Sequence, residues 1–254
     1  MKRILLFTFI IGLLGCKRDH DTIYNFVDLS DKANIKFVHV VTNAFATPAA
    51  TVQAGLQVYA NNTKVTATNL AFGGVFPSLE FSKIKIGSAS LKVVIPAGSL
   101  NQEILIKDST LTDLQKDSTY TVFITDTLPQ TSFVVVKENL APIADSGKCF
   151  VRLINLTQKS AGYNLLDTAG GGTIVAPDVK YKTVSAYQQV FVASGGKRFW
   201  IRKPSTTTNL LSIDMTPVAG RMYTFFCYGT DGVTTGSRAI KATFMTSRFQ
   251  TMLY

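Results

Sequence analysis

Histidine, cysteine and tryptophan are scarce in this 254-residue chain, which holds two, three and one of them. Charged residues make up 17% of the sequence, and only 16 are acidic. These shortages exclude much chemistry. Nucleophilic catalysis needs a serine or cysteine beside a base, and the only imidazoles are His20 and His39. No Gly-x-Ser-x-Gly elbow, His-Glu-x-x-His helix or Gly-Lys-Ser/Thr phosphate loop occurs. Cys149 and Cys227 stand 78 positions apart, which is no metal-ligand spacing. Several acids sit in turn-like contexts, such as Asp108, Asp117 and Asp231. No catalytic residue, metal or cofactor is assigned. No amphipathic helical period is found beyond the N-terminal segment. The basic residues are scattered and match no nucleic-acid-binding motif, so no nucleic acid partner is expected.

The longest apolar run lies at the start. Lys2 and Arg3 precede Ile4 to Leu14, about a dozen apolar residues against the roughly 20 that span a bilayer as a helix. A basic start, a short apolar core and a small residue at the break form a secretory signal peptide. Leu13-Leu14-Gly15-Cys16 resembles the bacterial lipobox, in which the signal is removed before a lipidated cysteine. Residues 1–15 are therefore expected to be signal peptide and 16–32 a lipidated tether. Lys17 is unlike the aspartate that retains lipoproteins at the inner membrane, so Cys16 is expected to anchor the chain at the outer membrane. Whether it faces periplasm or cell surface stays open.

Hydrophobic residues reach 46%, enough for a sizeable core, and the formal net charge is +10. From residue 33 the pattern is β. Ile35 to Val40, Phe81 to Ile86, Leu91 to Ile95, Glu103 to Lys107, Tyr120 to Thr125 and Phe133 to Lys137 are strand-like. Leu56 to Ala60 and Thr63 to Val65 form a hairpin, because Asn61 and Asn62 tolerate the positive φ of a tight turn. Gly170-Gly171-Gly172 reads as a second hairpin tip. The chain also repeats itself. Ile35-Lys36-Phe37-Val38-His39 aligns with Val151-Arg152-Leu153-Ile154-Asn155, Leu70 to Val75 with Val179 to Val184, and Leu111 to Phe123 with Ile213 to Phe225. The last pair converges on Tyr120-Thr121 and Tyr223-Thr224. Two related β domains follow, at 33–144 and 145–254.

Val151 to Thr157, Val184 to Val190 and Ser194-Gly195-Gly196 resemble family 4397 of domains of unknown function. Ile35 to His39, Leu56 to Val65 and Asn69 to Val75 carry the same resemblance in the first half. It implies an all-β chain of two immunoglobulin-like antiparallel β-sandwich domains in tandem, in a secreted or anchored bacterial protein. It brings no catalytic residues.

His39 aligns with Asn155, which suggests a polar slot near a strand end that hydrogen-bonds backbone. Alternation places Phe199 and Ile201 on one strand face and Trp200 on the other, as core or as a ligand platform. Tyr181 and Tyr187 are further platform candidates. Cys149 shares a face with Val151 and Leu153, and Cys227 with Tyr223 and Phe225, as a possible disulfide or as two buried thiols. The reading is a lipid-anchored binding, adhesion or spacer module for glycan or envelope-protein partners. An accessory glycan-processing hydrolase is the alternative, to be recognised by carboxylates gathered in one cleft.

Overall fold

The computed structural model describes residues 31–98, 102–140, 147–169, 171–192 and 195–249. Cys16, the signal peptide and the tether up to residue 30 lie outside the described residues. The described residues contain strands and no helix. The first half supplies β1 (Lys32–His39), β2 (Gln57–Ala60), β3 (Thr63–Lys64), β4 (Val75–Phe76), β5 (Ser82–Lys85), β6 (Gly87–Ile95), β7 (Ile104–Leu114), β8 (Thr119–Thr125) and β9 (Ser132–Glu138). The second supplies β10 (Lys148–Gln158), β11 (Tyr163–Asp167), β12 (Thr173–Val179), β13 (Gln188–Phe191), β14 (Lys197–Arg202), β15 (Asn209–Met215), β16 (Met222–Thr230) and β17 (Lys241–Arg248).

Both halves are built to one plan. An outer sheet runs β3-β2-β6-β7 in the first half and β12-β11-β14-β15 in the second. An inner sheet runs β4-β1-β8-β9, with β5 also on the edge of β1, and β13-β10-β16-β17. Each inner sheet packs on its outer sheet through an apolar core, with Ile35, Leu91 and Val122 in one and Leu153, Phe199 and Phe225 in the other. The Asn61-Asn62 turn has φ of 48° and 63°, as its hairpin requires. The inner sheets are mixed where antiparallel sandwiches were expected: β1 pairs with β8, and β10 with β16, in parallel. The chain leaves the inner sheet, crosses to the outer one and re-enters beside its starting strand in the same direction, which a tight hairpin does not allow.

The tyrosines on which the repeat converges tie each crossing down. Tyr120 Oη accepts from Gln115 N at 3.0 Å, and Tyr223 Oη accepts from Val218 N at 2.9 Å. This is the tyrosine corner of immunoglobulin-like sandwiches, present once per half.

The halves then join inner face to inner face. Val38, Phe123 and Val136 meet Ile154, Phe226 and Met245 in a third apolar cluster. The register makes these three matched pairs, since Val38 lies opposite Phe123 as Ile154 lies opposite Phe226. Val136 and Met245 likewise lie opposite Thr121 and Thr224. The contact therefore resembles the self-complementary interface of a two-fold dimer. Its buried cations follow the same symmetry. Lys36, opposite Thr121, reaches Thr246 O of the second half at 3.5 Å. Arg152, opposite Thr224, gives both Glu138 oxygens of the first half bonds of 2.7 and 2.6 Å. Because the inner sheets are covered on both sides, all of β16 is buried, and its sequence runs apolar without alternation.

Candidate functional site

Along β14 the side chains alternate. Phe199 and Ile201 point into the core, fully buried, and Arg198, Trp200 and Arg202 stand on the outward face of the outer sheet. Trp200 is only partly covered. Its cross-strand neighbours are Leu166 on β11 and Ser212 on β15, and Leu166 in turn lies opposite Ile174, which is 51% exposed. Ile174, Leu166 and Trp200 thus form an apolar row across the sheet. The β11–β12 hairpin closes over one end of this row. A Cβ at Gly172 would stand 3.5 Å from the indole edge, and Gly172 has a φ of 97°. The distance is ordinary van der Waals contact, so it is the positive φ that favours glycine here.

Two arginines flank the indole, and each is fixed. The Arg202 guanidinium carbon lies 5.8 Å from the ring centre, and its Nε and Nη2 donate to Asn209 Oδ1 at 2.9 and 2.7 Å. Arg198 grips Asp214 with a two-pronged fork, Nε to Oδ1 at 2.6 Å and Nη2 to Oδ2 at 2.9 Å. Those bonds hold the Asp214 carboxyl below the usual carboxylate range and push the Arg198 guanidinium upward. Thr168, Ala169, Gly196, Arg198, Trp200 and Asp214 line an open depression of about 570 Å³. On the core side, Lys197 is nearly buried and pairs with Asp167 at 2.6 Å and with Phe191 O at 2.8 Å, which fixes the start of β14. Chemically the site offers an aromatic face, an apolar neighbour, and donors and acceptors held in place at its edge.

The other candidate aromatics are elsewhere. Tyr187 lies against the joint between the halves, its hydroxyl 3.1 Å from Thr224 Oγ1 and its ring 4.3 Å from the Arg152 guanidinium. Burial pushes its phenol up to about 12. Tyr181 bonds to Asp126 of the first half, which Lys182 also pairs at 2.7 Å. Trp200, Tyr181 and Tyr187 therefore do not make one platform, and the two tyrosines serve the joint.

Cys149 and Cys227 are both buried free thiols, which corrects the possible disulfide. Both face the same core, as their strands' alternation indicates, but Cys227 lies opposite Asn155, six positions along β10 from Cys149. At ~3.3 Å per residue that is ~20 Å, against the ~7 Å within which two Cα atoms can be bridged. Burial raises their pKa values to about 11 and about 12, far from a reactive thiolate.

The acids are dispersed. Asp126, Glu138, Asp167, Asp178, Asp214 and Asp231 each pair with a cation of their own. Among the described residues no three His, Cys, Asp or Glu side chains converge to hold a metal. Arg198, Arg202 and Asp214 were not singled out in the sequence. The signal available was the alternation Arg198-Phe199-Trp200-Ile201-Arg202, which lifts both arginines onto the tryptophan's face.

No curated protein matches the chain. Among solved structures, an α-glucan-binding streptococcal virulence factor is 11% identical with a TM-score of 0.24, over 81% of this chain and 97% of that one. The CBM26 module CBMbc of Eubacterium rectale Amy13K, in complex with maltoheptaose, is 9% identical with a TM-score of 0.25, over 85% and 97%. A candidate cell adhesion protein of Bacteroides ovatus is 8% identical with a TM-score of 0.26, over 85% and 96%. Likeness at this level carries nothing about ligand or partner. The family model for a domain of unknown function, DUF4397, matches residues 33–162, from β1 to the turn after β10, and the chain belongs to that family.

Proposed function

We propose that this protein is a glycan-binding module of the bacterial cell envelope, held at the outer membrane by lipid on Cys16, with the Trp200 face as its ligand platform. The observation that carries the reading is the placement of the sole tryptophan on an outward sheet face between two arginines that are already fixed. A pyranose has an apolar C–H face and a rim of hydroxyls. Trp200 and Ile174 match the first, and Arg198, Asp214, Arg202 and Asn209 match the second. Ligand orientation through a few fixed polar groups around an apolar surface is the usual logic of small-molecule sites. The cell-envelope address rests on Leu13-Leu14-Gly15-Cys16 and the apolar run before it.

The single tryptophan is its own reporter. Titration of the detergent-extracted chain with a panel of neutral and acidic oligosaccharides, followed by tryptophan emission, is expected to give a saturable change with at least one of them. Binding of that sugar, measured by calorimetry, is expected to fall at least tenfold in Trp200→Ala and in Arg198→Ala. No saturable change with any sugar, or unchanged binding in Trp200→Ala, refutes the platform. Intact mass of the extracted chain tests the anchor, and a mass without acyl groups on Cys16 removes it.

A further inference from the structure

We infer that a second ligand site lies at the loop end of the joint between the halves, and that it takes a carboxylate- or sulfate-bearing segment of an acidic polysaccharide. It is separate from the Trp200 face and does not depend on it. The parallel strands β1, β8, β10 and β16 finish at one end of the molecule, where loops of both halves come together. Thr127 and Gln158 hydrogen-bond across the joint at 2.9 Å, and Ser237 Oγ lies 3.1 Å from Asn43 Oδ1. Two depressions open there. One of about 500 Å³ is lined by Thr127, Gln130, Gln158 and Tyr181, and one of about 450 Å³ by Thr230, Thr235 and Ser237. Lys159 and Arg238 line both, so the two are lobes of one cleft with cations at their junction.

The charges of this cleft are not balanced. Asp126 is engaged by Lys182, Ser132 and Tyr181, and Asp231 by Lys203 and Tyr163. Lys159 and Arg238 have no anionic partner among the described residues. Amides and hydroxyls around two cations suit a polyhydroxylated anion. An acyl chain or an apolar peptide would leave the same groups desolvated and unpaired.

The test is calorimetric titration of the whole detergent-extracted chain with polygalacturonate, dextran sulfate and neutral dextran. Binding of polygalacturonate or dextran sulfate, but not of dextran, is expected, and the stronger of the two identifies the anionic group. Lys159→Ala/Arg238→Ala is expected to weaken it at least tenfold, whereas Lys83→Ala/Lys85→Ala, which removes the same charge from β5, leaves it unchanged. Equal loss in the two double variants shows only the attraction of a basic surface and overturns the site. Equal binding of neutral dextran that Lys159→Ala/Arg238→Ala weakens as much, or no binding of either anion, overturns it too.

Discussion

His39 and Asn155 stand at matching positions of β1 and β10, and each bonds the backbone nitrogen two residues on and one further backbone carbonyl, with different chemistry. His39 Nδ1 accepts from Val41 N at 3.2 Å, and Asn155 Oδ1 accepts from Thr157 N at 3.0 Å, each two residues on. Across the sandwich, His39 Nε2 meets Ala54 O at 3.1 Å, and Asn155 Nδ2 meets Val179 O at 2.9 Å. The backbone around them repeats as well. Gly73 N donates to His39 O and Lys182 N to Asn155 O, with Gly73 and Lys182 both at positive φ. An acceptor at Nδ1 leaves the proton on Nε2, so the imidazole is neutral.

The difference between the two residues predicts a histidine contribution to acid sensitivity that only the first half carries. Burial holds the His39 pKa down at about 4, below the ~6.5 of an unfolded histidine. A group whose pKa is lowered by folding stabilises fully above its unfolded value. That contribution fades as pH falls from ~6.5 towards 4, and amounts to ~3 kcal/mol. His39→Asn, which copies the second half, is expected to narrow the gap between urea midpoints at pH 7 and pH 4.5. An unchanged gap would assign the acid sensitivity to other groups.

The tyrosine corners predict a matched pair of effects. Tyr120→Phe and Tyr223→Phe each leave one backbone N–H, of Gln115 or Val218, without its acceptor, at a cost of ~1–2 kcal/mol, and Tyr120→Phe also removes the donor to Asp113 O. The corners lie in separate cores, so the double variant is expected to show the sum of the two losses in denaturant unfolding. A marked departure from additivity would mean that the two corners share a structural element.

How far the sequence reveals this architecture depends on which neighbours decide it. The slot at His39 and Asn155, the Asn61-Asn62 hairpin and the Tyr-Thr strands are local, and alternation or repeat alignment exposes them. The parallel pairing of β1 with β8 is not, because it joins residues 85 apart in the chain, as in Asn34 and Thr119. The joint between the halves was equally hidden. Phe123 and Phe226 read as two more apolar strand residues, and only the second buried face of their sheets gives them a partner. Tyr181 and Tyr187 looked like platform aromatics for the same reason, since the surface they cover belongs to the other half. Alternation set Trp200 on the face opposite Phe199 and Ile201 but left core or platform open, because the arginines that frame it are fixed by β15.

Within the joint, the Glu138–Arg152 pair predicts an asymmetric response. Both side chains are almost fully buried, and Arg152 Nε and Glu138 Oε1 also bond to Thr224 and Thr121 at 2.9 and 2.7 Å. Removing one partner strands the other charge without water, so Glu138→Leu and Arg152→Leu are each expected to cost ~3–5 kcal/mol. The double variant removes both charges together and is expected to recover most of that loss. Stabilities from guanidinium titration check this, and a double variant as unstable as the sum of the singles would count against a paired role.

The Phe123–Phe226 contact decides whether the halves unfold together. The rings meet edge to face with centroids 5.9 Å apart, amid matched pairs from both inner sheets. Separating the halves would expose Val38, Val40, Phe123 and Val136 on one side and Ile154, Leu156, Phe226 and Met245 on the other. Neither half then keeps its inner sheet covered, so a single calorimetric transition is expected, with van't Hoff and calorimetric enthalpies equal. Truncation of either ring to alanine is expected to cost ~3–5 kcal/mol through the lost burial and the cavity left behind. The double variant should cost less than the sum, because the second truncation enlarges a cavity whose opposing ring is already gone. Phe226→Asp places an unpaired carboxylate in the same cluster and is expected to split the melt into two transitions, one per half. If the wild-type chain already melts in two steps, the joint does not couple the halves; if Phe226→Asp still melts in one, coupling runs through the Glu138–Arg152 and Asp126–Lys182 pairs instead.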